Sequence, residues 1–314
     1  MTTKIACEQY KHTIRSAYRS LQLVSDFSDS ALGLIDFSEI STFTQELLLQ
    51  YCFERIKFRL QNIDKSLVAE LLEQPSVRYI HFLNHELVIP IINNQGVEWY
   101  GSSPLSNFDF MIETFHGMHR NARTIYDVGG HHGVWAGYYS IIVGRQGRVY
   151  TFEPSILNIE VMSLLFLINS IDNVVCIPFA IGDSSGIVKK NDTNILVDYI
   201  DHNIGIIRFD QIFWERADFI KIDIEGFEYE LLKSFGDLFQ FCCNIHLELH
   251  IPHLSSRGIN YKEVYCLIPF DIVDVFNYQN GSLKHLGPND ELIGFCSLLI
   301  TPRRQGVCCL SEIE

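Results

Sequence analysis

The chain has 314 residues, with 24 Lys+Arg against 38 Asp+Glu and a formal charge of −14 at pH 7. That balance excludes a broad nucleic-acid footprint and docking on an anionic membrane surface, both of which need a basic face. Hydrophobic content of 47% and charged content of 20% are globular values, and a chain of this length buries a core unaided and divides into about two domains.

The stretch Met1 to Ser20 carries Lys, Glu, Arg and His without an apolar run, so no secretory signal is expected. No run approaches 18 apolar residues, so no membrane span is expected. The nine cysteines form no CxxC pair. They read as reduced, buried small hydrophobes of a cytoplasmic protein.

Residues 1–76 read as a helical region. Thr42 and Gln45 have capping-box spacing, and Phe43, Leu47, Leu48, Cys52, Ile56 and Leu60 follow at helical intervals. A second helix is predicted from Asp64 to Gln74, ending before Pro75. This region carries no recognisable chemistry; scaffolding, a lid or a homo-oligomer interface through these helices are all open. Residues 77–106 read as a hairpin and linker. Two β-rich runs, Val77 to Leu83 and Glu86 to Ile92, flank Asn84-His85, and a third, Val97 to Tyr100, follows a polar turn. Asn107 is set to cap a helix starting at Phe108.

Residues 107–303 read as one domain of alternating strands and helices, followed by a tail over 304–314. Strands are expected at Thr124–Val128, Arg148–Phe152, Val174–Ala180, Phe219–Ile224, Asn244–Leu249, Phe270–Phe276 and Gly294–Thr301. Helices are expected at Val134–Val143, Ser155–Ser170 and Tyr229–Phe235. This alternation predicts an α/β fold with a mainly parallel sheet covered on both faces.

Ligands of such sheets lie beyond the carboxyl ends of the strands. The first strand leads into Asp127-Val-Gly129-Gly130-His131-His132-Gly133, whose glycines allow a tight turn and close approach of a ligand to the main chain. The second ends at Glu153-Pro154, 24 residues after Gly129, near the distance at which a Rossmann acid meets a ribose. The third ends at Ala180-Ile181-Gly182-Asp183, suited to an adenine slot. A dinucleotide wants G-x-G-x-x-G, and His131 occupies the second glycine position. S-adenosylmethionine has no phosphate and accepts a looser loop.

These residues carry a resemblance. Asp127–Gly133, Arg148–Pro154, Ala180–Asp183 and the block Phe219-Ile-Lys-Ile-Asp-Ile-Glu-Gly-Phe-Glu228 resemble FkbM-type S-adenosylmethionine-dependent methyltransferases, in order and approximate spacing. Leu247–His250 and Gly281–Lys284 are similar to that family too, which puts the resemblance over about Tyr100 to Arg303. Gly130 departs from it, because alanine is common there. The resemblance implies a Rossmann-like class I methyltransferase with a seven-stranded sheet and one antiparallel edge hairpin. It implies S-adenosyl-L-methionine as cofactor and a hydroxyl of a saccharide or secondary metabolite, a small molecule or glycan, as acceptor. It further places Asp127, Gly129, Gly130, His131 and Gly133 on the methionine side, Glu153 and Pro154 at the ribose, and Ala180, Ile181 and Asp183 at the adenine.

A hydroxyl acceptor calls for a general base. Asp223 and Glu225 lie two apart at a strand end, where like charges can raise one carboxyl's pKa; a helix cap is the structural alternative for Glu225. His246, Glu248 and His250 alternate along the next strand, with His253 close behind. Asp223, Glu225 and His250 are the candidate catalytic residues. His and carboxylate also suit a metal, but methyl transfer from a sulfonium does not require one, and no metal is expected. His131 and His132 are adjacent and are not expected both to point inward. Tyr100 is the aromatic candidate for stacking on a sugar ring. N-methylation of an amine or peptide, or a scaffold that keeps the fold without turnover, are the competing readings.

Overall fold

The computed structural model describes residues 77–82, 85–91, 96, 99–100, 121–183, 186–188, 204–209, 216–235, 239, 243–279 and 281–303. The expected helices of 1–76, the Asn107-capped helix and the 304–314 tail lie outside the described residues.

Strands β1 (Val77–Phe82) and β2 (His85–Pro90) pair antiparallel, as the two β-rich runs predict. Trp99 and Tyr100 sit in a wide helical turn and not in the expected third strand. The central sheet contains β3 (Thr124–Val128), β4 (Arg148–Phe152), β5 (Val174–Ile177), β9 (Phe219–Ile222), β10 (Asn244–His250), β11 (Val273–Gln279), β12 (Ser282–Leu286) and β13 (Phe295–Pro302). Its order is β12-β11-β13-β10-β9-β3-β4-β5. The five strands from β10 to β5 run parallel, and β13 runs antiparallel to both β10 and β11.

The doubly wound α/β architecture is therefore present, with one strand more than the expected seven. The extra strand, β12, pairs antiparallel with β11 at the sheet edge. Its largely exposed sequence gives no apolar alternation to read. The expected single strand over 174–180 also divides: β5 stays in the central sheet, while β6 (Ala180–Gly182) joins β7 (Gly186–Val188) and β8 (Ile204–Arg208) in a separate small sheet.

Helices α1 (Val134–Val143) and α2 (Ile156–Ile168) follow β3 and β4; α3 (Glu228–Phe235) follows β9; α4 (Ile251–Ser256) and α5 (Tyr261–Tyr265) follow β10. Buried Leu87 and Ile89 of β2 share a core cluster with Ala136, Tyr138 and Tyr139 of α1. Asn169 fixes the hairpin by accepting from Val88 N and donating to Val88 O, both at 2.8 Å. Among the described residues no helix is long and apolar enough to cross a membrane.

The chain runs outward from β3 through β4 to β5, then returns to build β9 and β10 on the other side. The reversal opens a crevice beyond the carboxyl ends of β3 and β9, which is where the sequence motifs fall.

Candidate active site

The glycine loop is folded against the ends of β4 and β9. Gly129 and Gly130 both donate to Phe152 O, at 3.0 and 2.9 Å. Gly129 has φ of 86°, and a Cβ there would lie 1.7 Å from the carbonyl oxygen of Asp223. Close main-chain contact between the ends of β3 and β9 therefore requires glycine. At Gly130 a Cβ would lie 2.1 Å from Thr151 Oγ1, a hydroxyl that donates to Asp127 Oδ2 at 3.1 Å. That hydroxyl fills the space an alanine methyl would need, which accounts for the departure at this position. Gly130→Ala is expected to cost about 1–3 kcal/mol in urea unfolding, as overpacking does. Adding Thr151→Ala should make the pair of changes less than additive.

His131 has φ of 48°. This reversal puts successive side chains on one side, and the rings of His131 and His132 stack at 4.0 Å and 15°. The expectation that they cannot both point inward is corrected: both pack inward, side by side. Burial holds His131 near pKa 3 and His132 near 4, so both are neutral. Tyr100 Oη lies 3.0 Å from His131 Nδ1. Burial raises the tyrosine pKa, so the phenol keeps its proton and the bond joins two neutral groups. His131 Nε2 is buried without a hydrogen-bond partner. The Trp99 ring, half exposed, lies 5.5 Å from the His131 ring.

Glu153 stands at the end of β4, 6% exposed. Its Oε2 accepts from His131 N at 2.8 Å; its Oε1 accepts from Ser155 N at 2.8 Å and Asn158 Nδ2 at 3.3 Å. Burial raises its pKa to about 7, against the lowering effect of those hydrogen bonds. Pro154 follows it, partly buried. Ala180, partly exposed, and buried Ile181 lie on β6, beyond the end of β5. Asp183, a rim residue, faces Lys233 of α3 at 3.6 Å.

Lys221 is the residue that sequence reasoning passed over. It is 1% exposed in the otherwise apolar β9, directly beside Asp127 in the parallel register. Its Nζ donates to Gly129 O at 3.1 Å and pairs with Asp223 Oδ2 at 3.1 Å and Asp127 Oδ1 at 3.4 Å. One ammonium thus joins both strand ends and the glycine loop. Burial lowers its pKa, but Asp223, Asp127 and Glu248 outweigh this and the net shift is upward. Burial raises Asp223, but Lys221 and then His250 outweigh it, and Asp223 stays below the usual carboxylate range. Burial also lifts Asp127. A lone lysine within Phe-Ile-Lys-Ile was the available signal.

A second cluster forms where β9 and β10 end. His250 Nδ1 lies 2.8 Å from Oε1 of fully buried Glu228, and its Nε2 lies 3.6 Å from Asp223 Oδ1 and 3.4 Å from Glu225 Oε2. Glu225 has φ of 51°, uncommon for a side chain other than glycine or asparagine. The turn that carries it is held by Gly226 N donating to Glu228 Oε1 and by Arg257 Nη1 donating to Gly226 O. Burial lowers His250, but its hydrogen bond to Glu228 and the charges of Asp223, Glu228 and Glu225 lift it to about 9. Burial, partly offset by His250, raises Glu225. Glu248 is 30% exposed, and burial together with Asp223 raises it to about 8. His246 is buried lower in β10, 2.7 Å from Ser297 Oγ, and burial holds it near pKa 3.

The candidate residues on β3, β4, β9 and β10 therefore gather around the strand ends, while Asp183 is turned toward α3. Residues 127–276 match the family model of the methyltransferase FkbM domain. The chain carries an FkbM methyltransferase domain. The methyl donor of this class of domain is S-adenosylmethionine. No curated protein matches the chain significantly.

Among solved structures, a methyltransferase FkbM from Methylobacillus flagellatus is 16% identical with a TM-score of 0.41, the match covering 57% of this chain and 44% of that one. This chain thus spans less than half the length of that relative. An O-methyltransferase from Bacillus cereus in complex with SAH is 12% identical over 65% of this chain and 84% of that one, TM-score 0.39. The O-methyltransferase TomG from Streptomyces achromogenes, in complex with SAM, is 10% identical over 66% and 84%, TM-score 0.39.

Proposed function

We propose that the protein is an S-adenosylmethionine-dependent O-methyltransferase acting on a hydroxyl of a saccharide or secondary metabolite. The observation that carries the choice of oxygen is Glu248, a carboxyl of pKa about 8 at the crevice, beside an ionised Asp223. A hydroxyl must lose its proton as it attacks, and a base poised near the working pH takes it most effectively.

The residues fit the donor. His131 Nε2 is a buried polar atom without a hydrogen-bond partner; in the tautomer that carries its hydrogen there it would bind the carboxylate of a methionine group. Glu153 already accepts three hydrogen bonds and has acceptor capacity left for ribose hydroxyls. Asp127, Gly129, Gly130 and Gly133 shape the loop between them, Pro154 borders the ribose, and Ala180, Ile181 and Asp183 are assigned to the adenine side. When bound, the donor supplies a methyl group on a sulfonium centre.

Lys221 fixes Asp127 and Asp223 relative to the glycine loop. Glu248 accepts the acceptor's proton. His250 is cationic near neutrality in this arrangement, so it orients Asp223 and Glu225 and does not serve as base. Tyr100 and Trp99 offer an aromatic surface beside His131, a shape that suits the apolar face of a sugar ring.

A transfer assay with labelled methyl donor across a panel of saccharides and hydroxylated metabolites tests this reading. Label should enter hydroxyl-bearing acceptors and not their deoxy analogues, with kcat rising to a plateau above about pH 8. Glu248→Gln should lower kcat by about 10²–10⁴-fold and leave SAH affinity unchanged. Transfer to amines alone, or full turnover by Glu248→Gln, would contradict it.

A further inference from the structure

We propose that Asp223, Glu225 and His250 form a binding site for a divalent transition cation at the mouth of the crevice. One donor atom from each lies within 4.8 Å of the others, although they come from two strand ends. The site shares the crevice with the methyl-transfer reading but does not depend on it; a bound cation would replace the proton that His250 Nε2 carries in the metal-free arrangement, and that proton would pass to solvent.

Proximity of acidic groups alone is common and decides nothing. The deciding feature is how His250 is held. Its side chain is 6% exposed, and its Nδ1 is taken by Glu228, which is fully buried. This is the carboxylate–histidine arrangement that fixes a metal-ligating imidazole and directs its other nitrogen. The directed nitrogen, Nε2, meets Asp223 and Glu225 at 3.6 and 3.4 Å. Charge-assisted hydrogen bonds are shorter, about 2.7–2.9 Å. Ligands of a six-coordinate cation, each about 2.1 Å from it, stand about 3 Å apart, so a small contraction brings these donors into register.

The backbone agrees. Glu225 is held at positive φ by the bonds on Gly226, which turns its carboxylate back over the strand end. The His253 ring stacks on that of His250 at 5.4 Å, and its Nδ1 lies buried without a hydrogen bond, 3.0 Å from Glu225 Oε2. This is a fourth donor on the rim. The charge balance agrees too: among the described residues the carboxyls of Asp223, Glu225, Glu228 and Glu248 gather around one ammonium, Lys221, which is shared with Asp127, and the imidazoles of His246, His250 and His253.

Two carboxylates with one imidazole suit Mn²⁺, Fe²⁺ or Zn²⁺ better than Ca²⁺, which prefers an all-oxygen cage. Three protein donors leave positions for water or an acceptor oxygen, where the cation would act as a Lewis acid.

The test is Mn²⁺ titration of the full chain, stripped with EDTA and followed by electron paramagnetic resonance. About one tightly held Mn²⁺ per chain is expected, displaced by Zn²⁺. His250→Ala and Asp223→Asn should weaken binding by about tenfold or more, and Glu228→Gln by about 10–100-fold through the lost orientation of His250. Glu263→Gln, in the exposed capping box of α5, should change nothing and thereby controls for adventitious binding to an acidic surface. Electron spin-echo modulation from a directly bound ¹⁴N in the wild type keeps the test open should the variants fail to fold. No bound Mn²⁺, no ¹⁴N coupling, or several weak sites indifferent to these variants would overturn the proposal. SAH binding measured on the same samples separates the two readings: SAH bound without Mn²⁺ removes the cation alone, and Mn²⁺ bound without SAH removes the donor alone.

Discussion

Lys221→Met is expected to destabilise the protein by about 3–5 kcal/mol, the cost of breaking a buried ion pair from one side. Methionine conserves the length of the side chain, so packing within β9 changes little. What changes is charge: among the described residues, Asp127, fully buried, loses its only cation, and Asp223 loses the nearer of its two. The carbonyl of Gly129 also loses its donor, so the loop should loosen along with the strands. Urea unfolding at pH 7 measures the loss. Asp127→Asn added to Lys221→Met should recover part of it, because the buried negative charge is then removed. The pH dependence has a definite sign. The folded lysine pKa is raised, so its contribution is complete below the ordinary lysine value and is lost only as pH climbs above it. A Lys221→Met protein as stable as the wild type would mean that the ammonium does not join the strand ends.

Glu153→Ala is expected to weaken SAH binding by about 2–3 kcal/mol, roughly 30–150-fold, the loss of two hydrogen bonds to a charged acceptor along with a disordered loop. Its buried carboxyl gives a linked pH effect. With a folded pKa of about 7 against an ordinary 4.5, the folded chain binds the extra proton. Stability of the ligand-free protein should therefore fall as pH rises from about 4.5 to about 7, by about 3 kcal/mol at most. Affinity for SAH should move the other way. A protonated Glu153 has fewer acceptor sites for ribose hydroxyls, so binding should strengthen up to about pH 7–8 and then level off. Calorimetry across pH 5.5–8.5 checks both the trend and its disappearance in Glu153→Ala.

Much of this was legible in the residues. The strand–helix alternation after Thr124 is readable because a parallel strand covered on both faces is mainly apolar, as Ile125, Tyr126 and Val128 of β3 and Val149, Tyr150 and Phe152 of β4 are. Gly129 and Glu153 stand where their spacing puts them, directly after the ends of β3 and β4. What escaped were features made by contacts between distant segments. Lys221 reads in one dimension as an interruption of an apolar run; only the parallel register sets it beside Asp127, 94 residues earlier. Glu228 stands just before the helix expected from Tyr229 and has no role legible there, while its carboxylate turns back to His250. The stacked histidines depend on a backbone reversal at His131 that its side chain does not announce. Asp183, read at the adenine side by spacing, also pairs at 3.6 Å with Lys233 of α3, a partner its sequence neighbours do not indicate.

Isothermal titration of the wild-type chain with S-adenosylhomocysteine at pH 7.5 tests the central claim most directly. Saturable binding at about one site per chain and micromolar affinity or better is predicted, with the heat collapsing in Glu153→Ala. A folded wild-type protein that takes up no S-adenosylhomocysteine would contradict it.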